Sequence, residues 1–446
     1  MARRKRSKVL SLWMNGERVG HWRNAHGDQQ ELQYDPAWLQ SPRARPVSLS
    51  LPFTPDNAAH RGDKVRHYFE NLLPDSQKIR ERLAAKYAAE SQQAFDLLHE
   101  VGRDCVGALQ LMPEDEPPQR VRTIRGQPLD EAEIERVLQN VVRSDGTANR
   151  DEDEDLRISI AGAQEKTALL WHEGRWQRPL GATPSTHIFK LPLGLVGNMR
   201  ADLRDSVENE WLCSRIVRAY GIPVADCEMR RFGDQQALVV ERFDRSLAAD
   251  GSWIARIPQE DFCQVLGQPA WRKYEADGGP GISDILRVLE NSTERDADRQ
   301  AFYRAQLVFW MLAATDGHAK NFSVFIGVGG SYRMTPLYDV LSAWPITGAS
   351  GGKIPHQKLK LAMAVRGKSN HYRIAEIQRR HWNAMARSTG LGLDFEADIQ
   401  ALIAKTPNVI AQVEAELPAS FPAHIAEAVL GQLRRSAEKL TGMPAT

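Results

Sequence analysis

The chain opens with short runs in which apolar and polar residues alternate, the period-two signature of half-buried strands. "VLSLWM" (9–14), "ERVGHW" (17–22), "ELQYD" (31–35), "PVSLSLP" (46–52) and "GALQLMPE" (107–114) are of this kind. One stretch among them, "DSQKIRERLAAKYAAE" (75–90), reads as a helix, with Asp75 or Ser76 as its cap. Residues 113–128 are rich in Pro, Glu and Arg and read as a linker. A short helix, "DEAEIERVLQNVV" (130–142), and the acidic run "DEDED" (151–155) follow, the latter a solvated boundary loop.

Strand patterns then return in "RISIAG" (157–162), "KTALLW" (166–171), "THIFKLP" (186–192) and "ALVVERF" (237–243). One amphipathic helix interrupts them, "DSVENEWLCSRIVRAYG" (205–221). Its Val207, Trp211, Leu212, Ile216 and Tyr220 fall at helical spacing, Asp205 stands where a cap belongs, and Gly221 and Pro223 mark the end. Beyond residue 245 the signal is mostly helical: 301–315, 379–389, 395–406 and 426–440. The expected division is an N-terminal unit (1–125), a helix with an acidic linker (126–155), a strand-rich lobe (156–245) and a helical lobe (246–446). A cleft between two such lobes is a natural small-molecule site.

Composition narrows the class without choosing a function. With 446 residues, 42% hydrophobic and 26% charged, the chain is an ordinary soluble type with room for two or three domains. A net charge of +1 gives no global drive toward nucleic acid or membrane. The local exception is "ARRKRSK" (2–8), a solvated terminus or an arm for an acidic partner. No apolar run approaches the length of a membrane span. Cys105, Cys213, Cys227 and Cys263 form no CxxC pair, so they read as small core residues in a reducing cytoplasm.

The chemistry-bearing stretch is "LAATDGHAKNFSVF" (312–325), where a helical pattern runs into a polar knot and out into a strand. Asp316 and Asn321 are five apart, the spacing of a kinase catalytic loop, in which an Asp takes the acceptor proton and an Asn holds Mg²⁺. Asp339, in "TPLYDV", follows a hairpin pattern (321–336) and could return a second hard oxygen ligand to the same place. Lys190 ends an apolar strand. Downstream helical Glu208 or Glu210 could pair with it, and Glu210 lies nearer the apolar face. "SIAGAQEKTALL" (159–170) offers a small-residue turn at Gly162 whose amides could cradle phosphates. It lacks the second glycine of a Walker A loop and leads into a strand, which argues against a P-loop NTPase. His318 fits a general base, a phosphate contact or a plain surface histidine.

The order and wording of these segments resemble the HipA-type serine/threonine kinase toxins of bacterial toxin–antitoxin pairs. "NLLPDS", "RISIAGAQEKTALL", "VERFDR", "KYEADGGPGI" and "ATDGHAKNFSVFI" carry the resemblance, which runs over essentially the whole chain. It implies an α+β fold: a two-lobed, protein-kinase-like body with a β-rich N-lobe, an all-helical C-lobe and an added N-terminal α+β subdomain. It also implies Asp316 as catalytic base, Asn321 and Asp339 as magnesium ligands, and Lys190 on the ATP phosphates. Ala161, Gly162, Ala163, Gln164, Glu165 and Lys166 would form the loop covering those phosphates. Glu241 and Phe243 would line the adenine hinge, and Ser159 would be autophosphorylated. The implied partners are a HipB-like helix-turn-helix antitoxin dimer, operator DNA mainly through that antitoxin, and glutamate–tRNA ligase as protein substrate, without any membrane. Phosphorylation of that ligase would arrest growth. The alternatives are a lipid or small-molecule kinase, since H-R-D is missing before Asp316, and a non-enzymatic corepressor.

Overall fold

The computed structural model describes residues 8–25, 29–114, 116–142, 158–196 and 200–446. Most of the basic run 2–8 and all of the acidic run 151–155 lie outside the described residues. The alternating segments of the N-terminal unit form an antiparallel five-stranded sheet. Its spatial order is His60–Arg61, Gln29–Tyr34, Glu17–Ala25, Val9–Met14 and Leu109–Pro113. The inward residues Leu10, Leu12, Trp22 and Leu32 pack on the helices Asp63–Glu70 and Ala94–Val101. Trp22 stacks on Phe69 at 3.8 Å between ring centroids, which fixes the helix against the sheet.

Residues 46–52 are not a strand, although their pattern alternates. The amides that a partner strand would take go to side chains instead: Val47 N–H to the Tyr34 hydroxyl (2.9 Å), Leu49 N–H to Glu260 (2.7 Å) and Ser50 N–H to Ser48 (3.1 Å). Val47 and Leu51 are still buried, so the apolar signal was sound and the element type was not. The helix at Gln77–Lys86 has Ser76 at its cap position without a side-chain cap bond, and Asp75 is engaged elsewhere.

The strand-rich lobe is an antiparallel six-stranded sheet. Its order is Cys227–Phe232, Gln235–Glu241, His187–Lys190, Lys166–His172, Arg175–Pro179 and Gly126–Pro128. Period-two alternation sends its side chains to two cores. Ala237 and Val239 join Phe189, Leu169 and the helix Glu131–Val142, whereas Leu238 and Val240 pack with the helix Ser206–Ala219 and the helical lobe. Asp205 occupies the cap position of that second helix without a side-chain cap bond, and its carboxylate accepts from His424 at 2.9 Å.

In the helical lobe, Arg295–Leu312 is the central rod, packed by Ile282–Leu289 and Ala423–Gly442. This lobe also carries short strands: Gln259–Asp261 pairs with the hairpin Ser323–Ile326/Tyr332–Met334, and Lys360–Arg366 pairs with Asn370–Arg373. The two-residue strand Ile158–Ser159 pairs parallel with Asp104–Cys105 of the N-terminal unit rather than with the six-stranded sheet. All four cysteines are free and buried.

Candidate active site

Register decides which side chains reach the cleft between the lobes. On Phe189's strand, Lys190 lies opposite Leu238 on one side and Lys166 on the other, so all three share the face that looks toward the helical lobe. From that face the Lys190 ammonium reaches Glu210 Oε1 at 2.5 Å and Asp339 Oδ1 at 2.9 Å. Glu208, the other candidate partner, accepts from Gln236 instead. Burial alone would push the Lys190 ammonium down. Asp339 and Glu210 outweigh it and hold the group well above its usual range. Burial also pushes the Glu210 carboxyl up. Asp339 goes the other way: against the burial effect, Lys190 and Lys166 hold its carboxyl well below the usual range.

The central helix ends because Ala313 adopts a left-handed conformation (φ 48°), which turns the chain into the polar knot. Gly317 is required by close approach, since a Cβ there would stand 2.5 Å from the Phe309 ring. The knot closes on itself: His318 N–H donates to the Asp316 carbonyl at 2.8 Å, and the Asn321 side-chain amide donates to that same carbonyl at 2.8 Å. Using its nitrogen this way leaves Asn321 Oδ1 as the oxygen free for a cation. Asp316 remains open, with its side chain 57% exposed. His318 is buried, which removes the option of a surface histidine. Burial lowers its pKa, so the imidazole is neutral at physiological pH, and its Nδ1 has no hydrogen-bond partner among the described residues.

Asp339 sits at φ 62°, a strained setting for a residue with a side chain and one that Asp tolerates better than most. Its neighbour Tyr338 ties it to the knot through a hydroxyl bond to the Lys320 carbonyl at 2.8 Å. Phe243 packs beside Tyr338, with ring centroids 5.8 Å apart, while Glu241 is exposed one strand step away.

The loop at 161–166 folds back on itself and on the N-terminal unit. Gly162 needs its positive φ of 112°, and its carbonyl accepts from Asp75 N–H at 3.1 Å. Lys166 donates to the Ala161 carbonyl at 2.9 Å, Gln164 donates to the Leu191 carbonyl at 2.6 Å, and Glu165 pairs with Arg82. Ala163 is exposed at the loop's tip. Ser159 is not brought to Asp316. It is fully buried, and its hydroxyl donates to the Leu72 carbonyl at 2.7 Å.

Three features escaped the sequence reading. Lys320 is buried and donates to Asn71 Oδ1 at 2.8 Å, with Asp75 and Asp261 within 3.6 and 3.4 Å. The N-terminal unit thus grips the residue just before Asn321. Tyr274 donates its hydroxyl to Asp316 Oδ1. A buried cluster joins Asp104 and Asp244 to Arg242, Arg245 and Arg256. Apart from the local Arg242–Asp244 pair, these contacts join residues tens to hundreds of positions apart, with no local pattern to mark them.

The Asn321 Oδ1 and the Asp339 carboxylate are hard oxygen donors of the kind magnesium takes when substrate phosphates and water complete its shell. Among the described residues no cluster of three or more His, Cys, Asp or Glu side chains could hold a metal ion.

The arrangement as a whole defines the class: a two-lobed, kinase-like body with an opposed lysine, glutamate and aspartate in its cleft. The HipA-like C-terminal domain family matches residues 158–417, and the HipA N-terminal domain family matches residues 10–112. The chain belongs to the HipA family of kinases. It is 34% identical over 414 residues to a Sinorhizobium fredii protein named as a kinase, Y4mE, covering 91% of this chain and 92% of that one. It is 25% identical over 434 residues to the serine/threonine-protein kinase toxin HipA of Shewanella oneidensis, with 92% of each chain covered. The solved structure of Shewanella oneidensis HipA with HipB and operator DNA superposes with a TM-score of 0.77 at 22% identity, over 97% of both chains. That likeness establishes the fold. No helix among the described residues is long and apolar enough to cross a membrane.

Proposed function

We propose that this chain is a serine/threonine protein kinase toxin whose transfer site is the Asp316 knot. The observation that carries the reading is Lys190 bridging Glu210 and Asp339 in the same cleft as an exposed Asp316 tied to Asn321. Asp316 takes the proton of the acceptor hydroxyl as that oxygen attacks the γ-phosphorus of ATP. Asn321 and Asp339 are the residues that would hold magnesium, which offsets negative charge on the nucleotide phosphates. Lys190, kept charged by its two carboxylates, contacts the phosphates, and neutral His318 donates to them. Ala161 to Lys166 cover the phosphates, and Glu241 and Phe243 border the adenine.

Ser159 is proposed as an autophosphorylation site. Its burial against Leu72 means that transfer to it requires the 158–159 strand to leave Asp104–Cys105 first. A dianionic phosphate could not return to that dry position, so modification would hold the adjoining loop away from the nucleotide. By analogy with the complex of the Shewanella oneidensis protein, the partners are a HipB-like antitoxin and, through it, operator DNA. Glutamate–tRNA ligase is the proposed substrate, the cytoplasm the proposed location, and growth arrest with persistence the proposed outcome.

The test is a phosphoproteome comparison of cells expressing the wild type and Asp316→Asn. Phosphorylated glutamate–tRNA ligase and phosphorylated Ser159 are expected only with the wild type. Equal phosphorylation by both chains would refute the assignment of Asp316. Growth arrest that survives loss of phosphorylation would favour binding alone.

A further inference from the structure

Tyr274 stands 42 residues before Asp316 in the chain, yet its hydroxyl donates to Asp316 Oδ1. The contact is built rather than incidental. Lys273 is anchored on both sides: its ammonium donates to Asp75 at 2.8 Å, and its carbonyl accepts from Ala319 N–H in the knot at 3.2 Å. The Tyr274 carbonyl accepts from Asp277 N–H at 3.1 Å and Gly279 N–H at 3.0 Å, which closes the turn behind it. Its ring stands edge-on to His318, 5.0 Å between centroids. The tyrosine is thus held from the backbone, the ring and the preceding side chain, and its hydroxyl is aimed at one oxygen of a carboxylate.

Asp316 needs such a partner. Its side chain is more than half exposed, and His318 Nε2 lies 3.9 Å from Oδ1, too far for a hydrogen bond. A solvent-facing carboxylate free to rotate about χ1 and χ2 would present an accepting oxygen in the right direction only part of the time. Burial and the nearby Asp316 charge hold the phenol proton in place, so Tyr274 is a donor throughout the range in which cells live.

We propose that Tyr274 is a positioning residue for phosphotransfer: it fixes Asp316 Oδ1 and so presents Oδ2 to the acceptor hydroxyl. The proposal rests on the reading of Asp316 as the base. In the step it serves, the acceptor proton passes to Oδ2 and the acceptor oxygen bonds to the γ-phosphorus. The bond from that phosphorus to the β,γ-bridging oxygen breaks, and ADP leaves with the electron pair.

The experiment uses the full-length chain as wild type, Tyr274→Phe and Asp316→Asn. The acceptor is a cell lysate whose own kinases have been inactivated with a covalent ATP analogue. Transfer of label from γ-labelled ATP is followed against ATP concentration, with ATP affinity and Tm measured on each chain. Tyr274→Phe keeps the ring against His318, and the expected result is a plateau rate lower by about tenfold or more. KM for ATP, ATP affinity and Tm should stay within twofold or a degree of wild type. An unchanged plateau rate would overturn the proposal. So would a raised rate, which would show the hydroxyl competing with the acceptor, or a loss matched by weaker ATP binding. If Asp316→Asn abolishes transfer while Tyr274→Phe does not slow it, positioning alone fails. Full transfer by Asp316→Asn overturns the base assignment and the proposal with it.

Discussion

Two clusters of buried charge hold this molecule together, and they are built to opposite specifications. Around Asp104, the guanidiniums of Arg242, Arg245 and Arg256 converge with Asp244 and the Ser185 hydroxyl, all buried. Asp104 accepts from Ser185 twice and from all three arginines, and Arg242 also donates to the Cys105 carbonyl at 2.8 Å. In the cleft, Lys190 likewise bridges two carboxylates, but Asp339 remains one-third exposed and Asp316 more than half exposed. Ionisation is displaced at both places. What separates them is spare capacity: the first cluster is saturated and closed, whereas the second keeps oxygens facing solvent. Buried, perturbed charge is therefore a poor guide to function unless a ligand could still reach it.

The saturated cluster should respond through stability. Asp104→Ala leaves three arginines facing one another with only Asp244 between them, a loss of about 3–5 kcal/mol. Equilibrium urea unfolding should show that loss, while the transfer rate per folded molecule stays near wild type. Lost transfer with unaltered unfolding would break the division.

Glu260 supplies a pH-dependent version of the same contrast. Burial pushes its carboxyl up to about 8, although the Leu49 amide donates to it. The folded chain then binds this proton more tightly than the unfolded chain does. Its contribution is complete below about pH 4.5 and is lost as pH rises through 8. Glu260→Gln cannot ionise and can still accept from Leu49 N–H. It should raise stability by a few kcal/mol at pH 9 and by little at pH 5, as Tm measured at the two pH values would show. An equal gain at both would mean that ionisation is not the cause.

Ser159→Ala should have the smallest effect. It removes one buried donor to the Leu72 carbonyl, worth about 1 kcal/mol, and leaves transfer to other proteins intact. A large loss of transfer would give Ser159 a place in the site that its hydrogen bond to Leu72 does not suggest.

Much of this was legible along the chain because local rules wrote it. The strands at 9–14 and 166–172, the helix at 206–219 and the hairpin after Asn321 follow from periodicity and turn residues. The candidate set Asp316, Asn321, Asp339 and Lys190 is legible in spacing and order, and the fold joins Lys190 to Asp339 and Asn321 to Asp316. Glu210 was separable from Glu208 because one lies nearer the helix's apolar face. Contacts closed by the tertiary fold were not legible. Asp75 looked like a helix cap and instead pairs with Lys273 and Lys320. Residues 46–52 had a strand's alternation, but side chains took the amides a strand would need. Tyr274 carried no signal beyond its place in a recognisable segment, because what gives it meaning is an oxygen 42 residues away.

The central claim is that Asp316 is the base of a phosphotransfer site whose framework is independent of it. The direct measurement is the rate of phosphate transfer from γ-labelled ATP by purified Asp316→Asn, with ATP affinity and Tm on the same preparation. The account predicts a fall of about 10²-fold or more, with ATP affinity and Tm unchanged. Transfer within twofold of the wild-type rate would contradict it.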